Sequence, residues 1–198
     1  GYPRGYFRHK EGRGRIVTGL ALLIIDMQQE MQLRIDAGRD CVNPGAGAAI
    51  ARLAGVCRAA GVPVVHVRHR QTDPSRPFHP DAPGHAPMAC AAAMPGEAVF
   101  VKETSSAFVA TGLEAHLRAG ACDALIVVGA VAGFCVNTTL RAASDLGFRV
   151  TVPVDAVLGF DLPGRMAARP LFDATMVLLD GDFARLSDTD ALCARIGG

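Results

Sequence analysis

Leu20-Ala21-Leu22-Leu23-Ile24-Ile25 is six apolar residues in a row, and it stops at a carboxylate, Asp26. A strand with one wet face alternates apolar and polar side chains, so an unbroken run of this length belongs to a strand covered on both faces. Such a strand needs structure on both sides of its sheet, which points to a parallel α/β architecture. The remaining pattern agrees. Asn43-Pro44 offers an N-cap with Pro at the first helical position. Ile50, Leu53, Ala54 and Cys57 follow at helical spacing up to Gly61. Val62–Val67 reads as a second strand and Ala98–Val101 as a third. Thr111-x-x-Glu114 is a capping box opening a helix that ends at Gly120. Leu125–Val128 is a fourth strand, and Val136, Leu140, Ala143 and Leu146 form a helical stripe from Cys135 to Gly147. A fifth strand (Arg149–Val154), a helix (Leu171–Leu179), a sixth strand (Phe183–Leu186) and a last helix (Thr189–Ile196) complete the alternation. The expectation is one three-layer α/β/α domain over residues 19–198, with a six-stranded, parallel, doubly wound sheet.

Composition narrows the class of partner. Half of the 198 residues are apolar, enough for one sizeable core and too many for a disordered chain. The net charge of +1 gives no electrostatic reason to expect nucleic acid or a membrane surface. That balance is uneven, because Arg4, Arg8, Lys10, Arg13 and Arg15 face only Glu11 in residues 1–15. Residues 1–18 therefore read as a basic extension. Basic residues ahead of an apolar run imitate a secretion signal, but Asp26-Met27-Gln28 stands where a small-residue cleavage site belongs. The longest uncharged stretch, Ala124 to Leu140, contains Gly129, Gly133 and Asn137 and falls short of a membrane span. Six scattered cysteines without a C-x-x-C pair suit a reduced, cytoplasmic protein better than a disulfide framework.

In parallel sheets chemistry collects where strands end on the carboxyl side. Asp26 follows the first strand, Lys102 the third, and Gly129-Ala130-Val131-Ala132-Gly133-Phe134-Cys135 the fourth. Each residue alone has a bland reading: Asp26 as a cap, Lys102 as a solvated charge, Cys135 as core filler. Together they put an acid, an amine and a thiol at one end of the sheet. A carboxylate ending a buried strand is partly desolvated, which suits a general base. A thiol where a helix begins, beside an ammonium, has its thiolate favoured. Residues 69–97, with six prolines, two glycines and three histidines, form a long excursion of the kind that is usually functional.

These segments resemble the isochorismatase-like cysteine hydrolases, a group that includes nicotinamidases, N-carbamoylsarcosine amidases and biuret hydrolases. The similar pieces are Leu22-Leu23-Ile24-Ile25-Asp26-Met27-Gln28, Val101-Lys102-Glu103-Thr104-Ser105-Ser106-Ala107-Phe108, and the stretch from Val128 to Thr139, with Gly147-Phe148-Arg149-Val150 and Val154-Asp155-Ala156 after them. The resemblance implies an Asp26/Lys102/Cys135 triad that hydrolyses a C–N bond in a small molecule through a thioester. It also implies a cis peptide at Ala130–Val131, and an oxyanion hole made by the backbone N–H groups of Val131 and Cys135. It further implies strand order 3-2-1-4-5-6 and a homo-oligomer of two or four copies, with the 69–97 loop at the contact. In that order Lys102 leaves a strand two places from the first, about 10 Å away at sheet spacing, and must lean inward.

Departures from the pattern are specific. Ala132-Gly133 replaces a common Thr and makes the pocket floor less polar. The nicotinamidase metal spacing is not recognisable in His66-x-x-His69, His79 and His85, so no metal is expected. Gly45-Ala46-Gly47 follows no strand, so no dinucleotide cofactor is expected either. Cys135 itself argues against the isochorismatase reaction, whose enzyme lacks that cysteine. Arg68, Arg70, Phe78 and His79, with Phe108 and Phe134 beside the other motifs, are the candidate walls of a pocket for a small planar or carboxylated amide.

Overall fold

The computed structural model describes residues 17–198. The basic extension expected over residues 1–18 falls almost wholly outside them. Eight strands form one sheet: β1 (Leu20–Ile25), β2 (Cys41–Val42), β3 (Val64–His69), β4 (Ala98–Lys102), β5 (Ala124–Ala130), β6 (Arg149–Pro153), β7 (Val157–Phe160) and β8 (Arg185–Ser187). The order across the parallel part is β4-β3-β1-β5-β6-β8. The six expected strands lie in the expected order. The count of six is corrected to eight. β7 follows β6 after a single turn, Val154–Ala156, and its four residues lie beyond the expected fifth strand, in a stretch where no element was expected. β2, of two residues, is too short to show any period, and it pairs antiparallel with β7.

β5 forks. Its amino-terminal half pairs with β6 at Ala124, Leu125 and Ile126, whereas Gly129 and Ala130 pair with β7. Its other edge runs along all six residues of β1.

Alternation along the strands builds two cores. Ala21, Leu23 and Ile25 face one layer with Leu113 and Leu117 of α3 (Leu113–Ala119), Leu140 of α4 (Asn137–Asp145) and Phe172 of α5 (Ala168–Leu179). Leu20, Leu22 and Ile24 face the other, with Met31 of α1 (Gln29–Asp36), Ile50 and Leu53 of α2 (Ala46–Ala59), and Leu192 and Ile196 of α6 (Thr189–Gly197). Each buried Leu or Ile is worth about 1.5–3 kcal/mol relative to exposure.

Two caps differ from expectation. Asn43 does not cap α2. It sits in the left-handed region (φ 59°) and its Nδ2 donates to the carbonyls of Val154 (2.7 Å) and Val157 (2.9 Å), fastening β2 to the β6–β7 turn. Thr111 Oγ1 donates back to Ala107 O at 2.6 Å and accepts from Leu113 N, so α3 starts at Leu113, and Glu114 pairs with Arg118 instead of completing a capping box. α1 was not expected: it buries only Met31, too little to stamp a period on the sequence.

Candidate active site

Three strand exits meet on the carboxyl side of the sheet, straddling β1 and β5, where the order of connection reverses. β1 ends at Asp26, whose backbone turns into the left-handed region (φ 50°), a conformation Asp accepts more readily than most residues. Its N–H donates to Val67 O and its carbonyl accepts from Gln28 N, both at 2.9 Å, and the residue is 3% exposed. On β5, Gly129 (φ 120°) lies so close to β1 that a Cβ would sit 2.1 Å from Ile25 O. Bare backbone here lets the following turn close against the end of β1. The Ala130–Val131 peptide bond is cis. A wide turn, Ala132–Val136, follows, with Phe134 out of helical geometry, and α4 begins at Asn137. Cys135 therefore lies two residues ahead of α4 rather than in its first turn.

Lys102, the last residue of β4, is 1% exposed and does lean across the end of β3. Its Nζ donates to Asp26 Oδ2 at 2.7 Å, Thr104 O at 3.1 Å and Cys135 Sγ at 3.3 Å, and lies 3.2 Å from His69 Nδ1. Asp26 Oδ1 is buried with no hydrogen-bond partner among the described residues. Burial drives the Asp26 carboxyl above its ordinary value, and the Lys102 ammonium offsets only part of that rise. Burial and the Asp26 charge likewise push the Cys135 thiol up to about 11, against the pull of Lys102. The expectation of a favoured thiolate is corrected here: desolvation outweighs the ammonium, and the resting sulfur keeps its proton.

Two residues that were not expected to take part in the chemistry frame this group. Gln28, wholly buried, clamps the β3 exit by donating to His69 O (3.0 Å) and His85 O (2.8 Å) and accepting from His69 N (2.8 Å). His69 is the register partner of Lys102, and the Phe78 ring meets it edge-on at 5.2 Å. Burial, then the Lys102 charge, lowers His69 to about 4, so its ring is neutral. Strand register, had it been fixed, would have named His69.

The remaining candidates scatter. Arg70 pairs with Glu103 at 2.6 Å and, with His69 and Arg76, lines a cavity of about 390 Å³. Phe134 is 51% exposed beside Cys135. Val131 heads the turn that carries the thiol. Arg68, one residue from His69, projects to the opposite face beside His66. Phe108 stacks on Phe148 at 5.9 Å against the core, and His79 serves a local turn by accepting from Asp81 N. His66 and His85 also have partners within the chain, Glu97 and the Phe78 carbonyl. Among the described residues no three His, Cys, Asp or Glu side chains are grouped to hold a metal, and no helix is long and apolar enough to cross a membrane.

A family model described as the isochorismatase domain matches residues 20–178. The chain belongs to the isochorismatase family. That match takes in Asp26, Lys102 and Cys135 alike. A streptothricin hydrolase of Streptomyces noursei is 34% identical over 149 residues, 72% of this chain and 51% of that protein, so this chain spans about half the length of that relative. Nicotinamidase 3 of Arabidopsis thaliana is 29% identical over 186 residues, covering 87% of this chain and 86% of that one. A solved isochorismatase-family structure from Chromobacterium violaceum superposes with a TM-score of 0.86 at 34% identity, over 94% of this chain and 98% of the other.

Proposed function

We propose that this isochorismatase-family chain is a cysteine amidohydrolase that cleaves a non-peptide C–N bond in a small molecule, such as an amide, ureide or lactam. The observation that carries this reading is the buried convergence of Asp26, Lys102 and the Cys135 sulfur, with one Asp26 oxygen left over. The kinds of relatives found, a nicotinamidase and a streptothricin hydrolase, support the reaction class. With the thiol at about 11, only about one sulfur in ten thousand is ionised at neutral pH, so the proton must leave within the site. Asp26 takes it, and Sγ attacks the carbonyl carbon. The N–H groups of Val131 and Cys135 hold the oxyanion. Asp26 returns the proton to the leaving nitrogen as the C–N bond breaks and a thioester remains. Asp26 then draws a proton from water, hydroxide displaces the sulfur, the acid departs and the thiol is restored. The Lys102 ammonium offsets the negative charge as it moves between oxygen and sulfur.

Release of ammonia or acid from a panel of small amides, ureides and lactams tests this, with Cys135→Ala as the blank. Turnover by the native chain is expected, along with a loss of at least about 10⁴-fold in the variant. Iodoacetamide should label Cys135 ahead of Cys41 and Cys90, two thiols that burial also pushes up; Asp40 adjoins Cys41, but neither sulfur has a carboxylate and an ammonium together. No turnover, together with labelling no faster than at those two sites, would make the chain an idle binding module on the same fold. The two- or four-copy assembly and the cytoplasmic setting are carried in this reading too. Sedimentation of the intact chain checks the first, and fractionation of the native host the second.

A further inference from the structure

Lys102 has more acceptors than protons. An ammonium carries three N–H bonds. Four atoms surround Nζ: Asp26 Oδ2 at 2.7 Å, Thr104 O at 3.1 Å, His69 Nδ1 at 3.2 Å and Cys135 Sγ at 3.3 Å. Two of them change during the proton transfer described above, and two do not. When the proton passes from Sγ to Asp26, the carboxylate becomes a weaker acceptor and the sulfur a stronger one. The Thr104 carbonyl and the His69 ring are the same before and after.

We propose that His69 is a positioning residue: its Nδ1 and the Thr104 carbonyl hold two N–H bonds of Lys102 permanently, so that the third alternates between Asp26 and Cys135. Everything around His69 fits a fixed acceptor. Gln28 bonds both its N–H and its carbonyl, so the backbone is clamped. Phe78 holds the ring edge-on. Burial and the ammonium keep the imidazole unprotonated, which an acceptor at Nδ1 requires. The implied tautomer carries its hydrogen on Nε2, on a ring that also lines the 390 Å³ cavity shared with Arg70 and Arg76. The charged and titratable groups around His69 are Asp26 at the exit of β1, Arg70 at its own strand exit, Lys102 and Glu103 at the exit of β4, and Cys135 ahead of α4. Without the His69 anchor the ammonium is free to turn about its Cε–Nζ bond, and no N–H is held pointing between the Asp26 carboxylate and the Cys135 sulfur.

This inference rests on Cys135 being the nucleophile. The test is the rate of Cys135 alkylation by iodoacetamide against pH in the full chain, for native protein, His69→Leu and His69→Asn. Leu removes the acceptor; Asn places Oδ1 close to where Nδ1 stood. We expect His69→Leu to slow alkylation about tenfold at neutral pH and move its midpoint up by about one pH unit, the equivalent change. His69→Asn should recover most of the rate. Equal profiles for native protein and His69→Leu, or an Asn variant as slow as Leu, overturn the role. Native protein whose Cys135 reacts no faster than Cys41 or Cys90 overturns the functional reading instead, so the two failures are distinct. Should His69→Leu not fold, long-range ¹⁵N NMR of native His69 decides. A ring protonated only at Nε2 across the neutral range is expected, and a hydrogen on Nδ1 refutes the anchor.

Discussion

β3 carries two histidines three residues apart, His66 buried and His69 half-buried, and they serve clusters of opposite character. His66 faces one side of the sheet, where its Nε2 lies 2.8 Å from Glu97. Glu97 also accepts from Arg58 at 2.6 and 3.0 Å and from the Met94 amide at 2.8 Å. Against the burial that would raise it, Arg58, that amide and His66 together hold Glu97 at about 2. Both carboxylate oxygens are satisfied, and the cluster ties the end of α2 to β3 and to the approach into β4. His69 faces the other side, where the Asp26 carboxyl is pushed up, one of its oxygens has no partner and the ammonium has an acceptor to spare. A carboxylate with both oxygens satisfied is a clamp, even though His66 Nδ1 beside it has no partner among the described residues. An unsaturated one has a proton to move.

Lys102→Met should break this contrast most severely. It strands the Asp26 carboxyl in the core, at a cost of about 3–5 kcal/mol in urea unfolding, and it ends the selective reactivity of Cys135. A loss below about 1 kcal/mol would mean that water already screens the pair. Glu97→Gln keeps shape and removes charge on the clamp side. It should cost about 1–2 kcal/mol and leave the alkylation rate of Cys135 within about twofold of native. A larger change in rate would show the two clusters to be coupled through β3.

Acid sharpens the comparison with the smallest effect. The folded pKa values of His66 and His69 lie below the ordinary 6.5, that of His69 at about 4. The unfolded chain therefore binds these protons first, and stability declines as pH falls from about 6.5 toward 4. Glu97 is depressed from 4.5 to about 2, so its contribution is complete above about 4.5 and drains away as pH falls toward 2. Urea midpoints measured against pH should show both windows, with His69→Asn flattening the upper one, and Glu97→Gln removing the lower one while steepening the His66 share of the upper, because Glu97 raises His66.

The strand-end residues were legible because an unbroken apolar run marks a strand and the first polar residue marks its exit. Asp26 and Lys102 are such residues, and Cys135 follows such a run after the turn. Their convergence follows from the strand order. What escaped depends on register and on distant partners. His69 acquires its place only once β3 is paired with β4, residue against residue. Asn43 reads as a cap locally, yet its partners, Val154 and Val157, lie more than a hundred residues away. The protonation of Cys135 was misjudged because neighbouring charges show in a sequence as strand-end residues, whereas the degree of burial does not.

The fork in β5 lets one strand answer to two requirements separately. Its first residues, zipped to β6 and β1, set how firmly the sheet holds. Its last two, handed over to β7, set where the thiol-bearing turn is launched. Substitutions chosen to move that turn belong along β7, where the sheet has already parted, and those that raise the melting point belong along β6. Gly129 should be left alone in both libraries, since even a methyl group there would wedge the two central strands apart.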